Sequence, residues 1–239
     1  MRGDLRFASH GDELRLLSRV VRRAELPVRH SRGFNPRPVL SLVCPRPTSV
    51  ASEDELLVLG ADEARPGPDA VDRLNAAAIP GLHFTRAMAL APKRPPRPAW
   101  MDFELPLDAS RAAAAAGRLS ELADQERWLV RREKPGRGRS PGTSRSIDLR
   151  PLTEGVRLER RRLLWRQVPA DPLWARPAEV LDLLGLDPQV DLASTVRTAV
   201  GYEPPLPWAE DGPLTAPPDE TTEQSAAYRG PDTKEERRT

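Results

Sequence analysis

Ten consecutive residues, Arg29-His30-Ser31-Arg32-Gly33-Phe34-Asn35-Pro36-Arg37-Pro38, gather the side chains best suited to ligand chemistry in this 239-residue chain. Gly33 and the two prolines fix an unusual backbone path, and three arginines, one aromatic and one amide are presented together. Guanidinium groups grip phosphate bidentately and stack on bases, so Arg29, Arg32, Gly33, Phe34, Asn35 and Arg37 form a candidate RNA-binding set. Arg15, Arg19 and Arg22 recur at helical spacing upstream and would extend that surface. A plainer reading competes. Of 37 basic residues only Lys93, Lys134 and Lys234 are lysines, so the arginine richness can be compositional, and Phe34 can plug the core beneath its turn.

The three histidines are scattered. His83 falls among Leu82 and Phe84 and reads as a structural residue. His10 heads the first helix, where Ser9 or His10 can cap and Asp12 complements the helix dipole. His30 ends the next extended segment. A helix start and a strand end can lie side by side, so His10 and His30 are candidates for an acid/base pair of the metal-independent ribonuclease kind. No third ligand has helical or hairpin spacing to either, which argues against a metal site. The chain carries no phosphate-binding loop, dinucleotide fingerprint, zincin helix, nucleophile elbow or three-cysteine cluster motif. With one cysteine, Cys44, it forms no internal disulfide framework and no thiolate cluster of its own, as expected of a cytoplasmic protein. No apolar run approaches the ~20 residues of a membrane span, so no membrane role is expected.

The elements that would position these residues follow from periodicity. Residues 5–9 alternate as a strand. A helix over 12–26 places Leu14, Leu17, Val21 and Ala24 on one side and Arg15, Arg19 and Arg22 on the other. Residues 28–31 and 39–44 read as extended around the turn, 55–60 as a strand, 69–79 as a helix and 82–90 as a closing strand. That β-α-β-β-α-β order is the ferredoxin-like unit. After a proline-rich linker over 91–98 the rhythm repeats. A strand over 100–107, an alanine-rich helix over 110–124 and extended segments at 128–132, 146–150, 156–159 and 163–168 precede a helix opened by Pro177 and a strand over 193–202. A Gly/Arg-rich loop over 134–145 interrupts this half, and Arg160-Arg161-Arg162 marks a hairpin tip. The fold expected is α+β: two tandem ferredoxin-like sandwiches with antiparallel sheets (1–90 and 99–202), then a tail over 203–239. The tail holds nine acidic and four basic residues and seven prolines and reads as disordered, so the formal net charge of +2 conceals a body of +7.

At Leu5-Arg6-Phe7-Ala8-Ser9-His10-Gly11-Asp12, at Arg22-Arg23-Ala24-Glu25-Leu26-Pro27-Val28, and above all at Ser31-Arg32-Gly33-Phe34-Asn35-Pro36-Arg37-Pro38-Val39-Leu40-Ser41, the chain resembles the radical SAM-linked proteins. These form an uncharacterised bacterial family encoded beside, or fused behind, radical S-adenosylmethionine proteins. Ile147-Asp148-Leu149-Arg150-Pro151, Arg176-Pro177-Ala178-Glu179-Val180-Leu181 and Thr195-Val196-Arg197-Thr198 agree. The resemblance spans most of residues 1–202. Gly11 stands where members usually carry a larger apolar residue, and Arg37 where they often carry histidine, which removes one potential ligand or acid/base group. The resemblance implies a partner, a radical SAM protein, and transfers Ser9, His10, Asp12, Gly33, Phe34, Asn35 and Pro36 as motif positions without roles. Lacking the three-cysteine motif, this chain is expected to bind no cofactor alone. The function expected is that of a non-catalytic accessory protein presenting RNA to its partner; the alternatives are an RNA-processing enzyme using His10 and His30, or a structural interaction module.

Overall fold

The computed structural model describes residues 1–61, 67, 69–89, 96–134, 136, 142–170 and 173–206. The expected disorder of the tail beyond 206, most of the 91–98 linker and half of the 134–145 loop lie outside the described residues.

The second half has the expected order. Strand β4 (Arg97–Pro106), helix α3 (Ala109–Ala123), strands β7 (Thr153–Glu159) and β8 (Arg162–Gln167), helix α4 (Pro177–Leu183) and strand β9 (Val196–Glu203) follow one another along the chain. Their sheet runs β9-β4-β8-β7, with every neighbouring pair among these four antiparallel. That is the split β-α-β arrangement of a ferredoxin-like unit. A separate antiparallel hairpin, β5 (Leu129–Lys134) and β6 (Thr143–Asp148), is inserted between α3 and β7. Alternation along β4 turns Met101, Phe103 and Leu105 into the core, where Phe103 stacks on Trp165 of β8 with ring centroids 5.2 Å apart. Asp108 caps α3 through the Arg111 N–H, and Ala115 and Leu122 are its buried positions. Between β7 and β8, Arg160 and Arg161 both take positive φ, the conformation of a tight two-residue hairpin turn, and their side chains are exposed.

The first half differs from its expected pattern at both ends. Residues 3–7 form a 3-10 turn rather than a strand, and 82–89 form no strand. In both segments some backbone groups are met by side chains, and the Arg6 carbonyl also accepts from the Ser49 N–H. Arg46 donates to the Leu5 and Arg6 carbonyls, and the Asn75 carboxamide accepts from the Phe84 N–H and donates to the Phe84 carbonyl, each at 2.8 Å. What remains of the expected unit is helix α1 (His10–Arg23), helix α2 (Ala70–Ala77) and a two-stranded antiparallel sheet of β1 (Leu40–Leu42) and β3 (Leu57–Leu59). These pack on a core of their own that includes Leu17, Val20, Val21, Ala24, Leu42, Leu74 and Leu82. Strand β2 (Ala51–Ser52) leaves that layer and pairs in parallel with β9, so the main sheet has five strands drawn from both halves. The α+β class with antiparallel sheets stands, and the four-stranded ferredoxin-like sheet is a property of the second half.

Gly81 ties the N-terminal segment to the end of α2. Its φ is +83°, its carbonyl accepts from the Arg2 N–H at 2.9 Å, and a Cβ there would lie 2.5 Å from the Arg2 carbonyl oxygen. Gly81→Ala therefore combines a left-handed conformation with a backbone clash, and is expected to lower stability by about 1–3 kcal/mol. A urea denaturation curve measures it; an unchanged midpoint would refute the geometry.

Candidate functional site

The segment 29–39 is a narrow loop closed by backbone rungs. The Val39 N–H donates to the Arg29 carbonyl and the Ser31 N–H to the Arg37 carbonyl, each at 2.8 Å, while His30 and Pro38 form an antiparallel bridge. The Ser31 hydroxyl accepts from the Arg37 N–H at 3.1 Å. The Arg29 N–H reaches the Gly60 carbonyl at 2.8 Å, which anchors the base of the loop to the end of β3. The tip is left with Arg32, Gly33, Phe34, Asn35 and Pro36, all exposed. Phe34 is 101% exposed, so it stands clear of the protein and plugs nothing. Arg29, Arg32 and Arg37 are exposed as well, and none is in an ion pair among the described residues. An exposed phenylalanine ring and three exposed guanidinium groups carried on one braced loop can stack on a planar ring and neutralise phosphate.

Helix α1 presents the second group of arginines. Ser9 caps it, accepting from the Asp12 N–H at 3.2 Å, and Leu17, Val20 and Val21 turn inward. Arg15, Arg19 and Arg22 are all exposed on the opposite side, as their 3.6-residue spacing requires. Arg15 pairs with Asp12 at 2.6 Å. The hydrogen bond from Ser9, then the Arg15 guanidinium, holds the Asp12 carboxyl below its ordinary value. Arg19 and Arg22 make no ion pair among the described residues.

His10 is the first residue of α1 and exposed, and His30 lies at the base of the loop with its Nδ1 3.0 Å from the Val28 carbonyl oxygen. The two rings share no hydrogen bond. No group of three or more His, Cys, Asp or Glu side chains among the described residues could hold a metal ion, and no described helix is long and apolar enough to cross a membrane.

The polar groups that sequence reasoning missed are buried. Glu13, on the inward side of α1 and 1% exposed, meets the buried Arg46 guanidinium at 2.5 Å. Desolvation pushes the Glu13 carboxyl up, and Arg46 opposes the shift. Arg197 of β9 is 0% exposed and reaches Glu55 at 2.8 Å, the Ser52 hydroxyl at 3.2 Å and the Cys44 Sγ at 3.2 Å. Burial raises the Glu55 and Asp54 carboxyls and the Cys44 thiol, and in each case Arg197 acts in the opposite sense. Neither arginine was marked by the periodicity of its segment; the only signal was a charge interrupting an apolar run, as in Thr195-Val196-Arg197-Thr198-Ala199-Val200. The Glu13–Arg46 pair fixes the inner side of α1, the helix that carries Arg15, Arg19 and Arg22, and the Arg197–Glu55 pair ties β9 to the segment after β2.

No curated protein and no solved structure matches the chain. The loop over 29–38, the α1 arginines and the greater part of the main sheet lie within residues 1–173, over which the sequence matches a family of uncharacterized proteins conserved in bacteria (DUF2344), and the chain belongs to that family.

Proposed function

We propose that this protein is a non-catalytic accessory protein that binds RNA through the 29–38 loop and α1 and presents it to a radical SAM enzyme in the cytoplasm. The observation that carries the RNA reading is the fully exposed Phe34 among Arg29, Arg32 and Arg37 on a loop braced by its own backbone rungs. An apolar ring held in water loses roughly 25 cal/mol for each Å2 left uncovered, so a ring kept there by a rigid loop is suited to a partner surface. Stacking serves any base, and the arginines supply a sequence-independent attraction to phosphate. The resemblance of the 31–41 and 147–151 motifs to radical SAM-linked proteins supports the partner.

Binding of bulk tRNA at several salt concentrations tests the RNA part. The affinity should fall linearly in logarithmic plots against salt, and replacing Arg29, Arg32 and Arg37 together by Gln should flatten that slope by about two phosphate contacts at roughly 0.7 each. Phe34→Ala should weaken binding by about 1–3 kcal/mol without changing the slope. Negligible tRNA binding at low ionic strength sinks the RNA reading. For the partner, affinity capture on the tagged full chain from native extract should recover a protein with the three-cysteine cluster motif, and repeated failure to do so removes the radical SAM part. RNA cleavage that disappears on replacing His10 and His30 by Ala would instead make the chain an enzyme.

A further inference from the structure

The tip of the 29–38 loop offers more than an aromatic ring. Arg32, Gly33, Phe34 and Asn35 are all exposed, and none of their backbone N–H or carbonyl groups takes part in a hydrogen bond among the described residues. The Asn35 carboxamide is equally uncommitted among them, and a carboxamide carries both donors and an acceptor. Below the tip the chain is held. The Val39-to-Arg29 and Ser31-to-Arg37 backbone bonds close the stem, the rings of Pro36 and Pro38 restrict it, and Pro38 is buried. A braced stem therefore carries a free ring face and free hydrogen-bonding groups on consecutive residues.

Paired and unpaired nucleotides differ in what they present to such a tip. In an A-form duplex the major groove is too deep and narrow for side chains to read, and each Watson–Crick edge is occupied by its complement. Phe34 reaches a base face there only by opening a stacked step. The cost of opening one step equals or exceeds the gain from stacking one base on an aromatic ring, so insertion adds no net affinity. An unpaired base offers its face and its Watson–Crick edge without that cost.

From this contrast we infer that the loop selects unpaired RNA. One base stacks on Phe34, the Asn35 carboxamide and the tip backbone meet its Watson–Crick edge, and the neighbouring phosphates pair with Arg29, Arg32 and Arg37. The inference rests on the RNA reading above and narrows its ligand to single-stranded segments. The arginines of α1 attract phosphate in either form.

Titration of the full chain with an oligouridylate of about 20 nucleotides and with a blunt RNA duplex of the same length tests it, since both exceed the footprint of a single binding surface. The duplex carries more phosphate, so raw affinities do not decide the matter; the change that each variant makes on the two probes does. Phe34→Ala should weaken the single strand by about 5- to 150-fold and leave the duplex within about 2-fold. Phe34→Trp should bind the strand at least as well as the parent, whereas Phe34→Leu, apolar but without a ring face, should behave like Phe34→Ala. Asn35→Ala should weaken the strand by about 2- to 10-fold and spare the duplex. The Phe34 ring is fully exposed, so none of its variants disturbs the core. Equal losses on both probes, or full binding by Phe34→Leu, overturn the inference while the RNA reading stands. Absence of salt-dependent binding to either probe overturns both. An unchanged affinity of Phe34→Ala for the strand, with loss of a protein partner from affinity capture, would assign the tip to a protein contact and overturn the inference alone.

Discussion

Replacing Arg197 by methionine is expected to lower the unfolding free energy by about 3–5 kcal/mol, the range for removing one partner of a buried ion pair. The side chain is fully enclosed and serves four groups at once: the Glu55 carboxylate, the Ser52 hydroxyl, the Cys44 Sγ and the Asp54 carbonyl, at 2.8, 3.2, 3.2 and 3.3 Å. Methionine fills most of the space but leaves Glu55 charged, buried and without its cation. The loss should also depend on pH in a definite direction. Burial raises the Glu55 carboxyl above its ordinary value, and Arg197 restrains that rise. A carboxyl with a raised folded value binds a proton more readily folded than unfolded. Its favourable contribution is complete below the ordinary carboxylate range and is lost as pH rises through the raised value. Without Arg197 the rise is unrestrained and the window widens. The variant should therefore recover part of its deficit between pH 8 and pH 5, and Arg197→Met/Glu55→Leu should recover more. Denaturation midpoints at several pH values measure this; a deficit that is constant with pH, or that grows on acidification, contradicts the assignment.

Arg46→Met is expected to cost a similar amount, about 3–5 kcal/mol, for a related reason. Arg46 is the buried counter-ion of Glu13, and its Nη1 also donates to the Arg6 and Val50 carbonyls at 2.7 and 3.1 Å, with a further bond from Nη2 to Leu5. Removing it strands a carboxylate on the inner face of α1 and releases carbonyls of the N-terminal turn. Glu13→Gln should be milder, because Arg46 keeps its carbonyl partners. A double-mutant cycle should give a coupling of opposite sense to the single losses, since Arg46→Met/Glu13→Leu leaves no buried charge. Amide exchange in residues 5–8 and 50–52 should accelerate in Arg46→Met, and unchanged protection there would show that the turn does not depend on this side chain.

Helix α1 was legible because two independent signals agree on it. Leucine and valine recur every three to four residues and the arginines occupy the opposite arc, so the inward face and the exposed Arg15, Arg19 and Arg22 follow from one periodicity. Helix α4 was legible for the same reason, with Pro177 marking its first position. The loop over 29–38 was legible as a turn with exposed arginines, but the position of Phe34 was not, because an aromatic on a turn satisfies the same local rules whether it points in or out. The tertiary structure places it outside. Residues 5–9 and 82–90 alternate as strands do, and alternation describes only the backbone's readiness to extend. A strand also needs a neighbour, and none pairs with either segment here; the Leu5, Arg6 and Phe84 backbone groups bond instead to the Arg46 and Asn75 side chains and to nearby turns.

What the sequence determined by itself is the set of local choices: which segments coil, which extend, where proline and glycine break them, and which charges lie opposite an apolar face. These depend on a few neighbouring residues and on spacing, and both are written in the chain. What only the tertiary structure decided is the fate of side chains whose surroundings come from afar. The clearest is Arg197. Strict alternation back from the inward-facing Tyr202 and Val200 would turn Thr198 to the core and Arg197 to the outside. The register of β9 against β4 shifts between Asp102 and Phe103, pairing Ala199 and then Arg197 with β4 and omitting Thr198, so Arg197 turns inward. There it meets Ser52, Asp54 and Glu55, about 145 residues earlier in the chain, as the cross-strand bond to Ser52 spans. The register of a strand belongs to the pair, not to either member, and the buried ion pair that depends on it could be read only once both were in place.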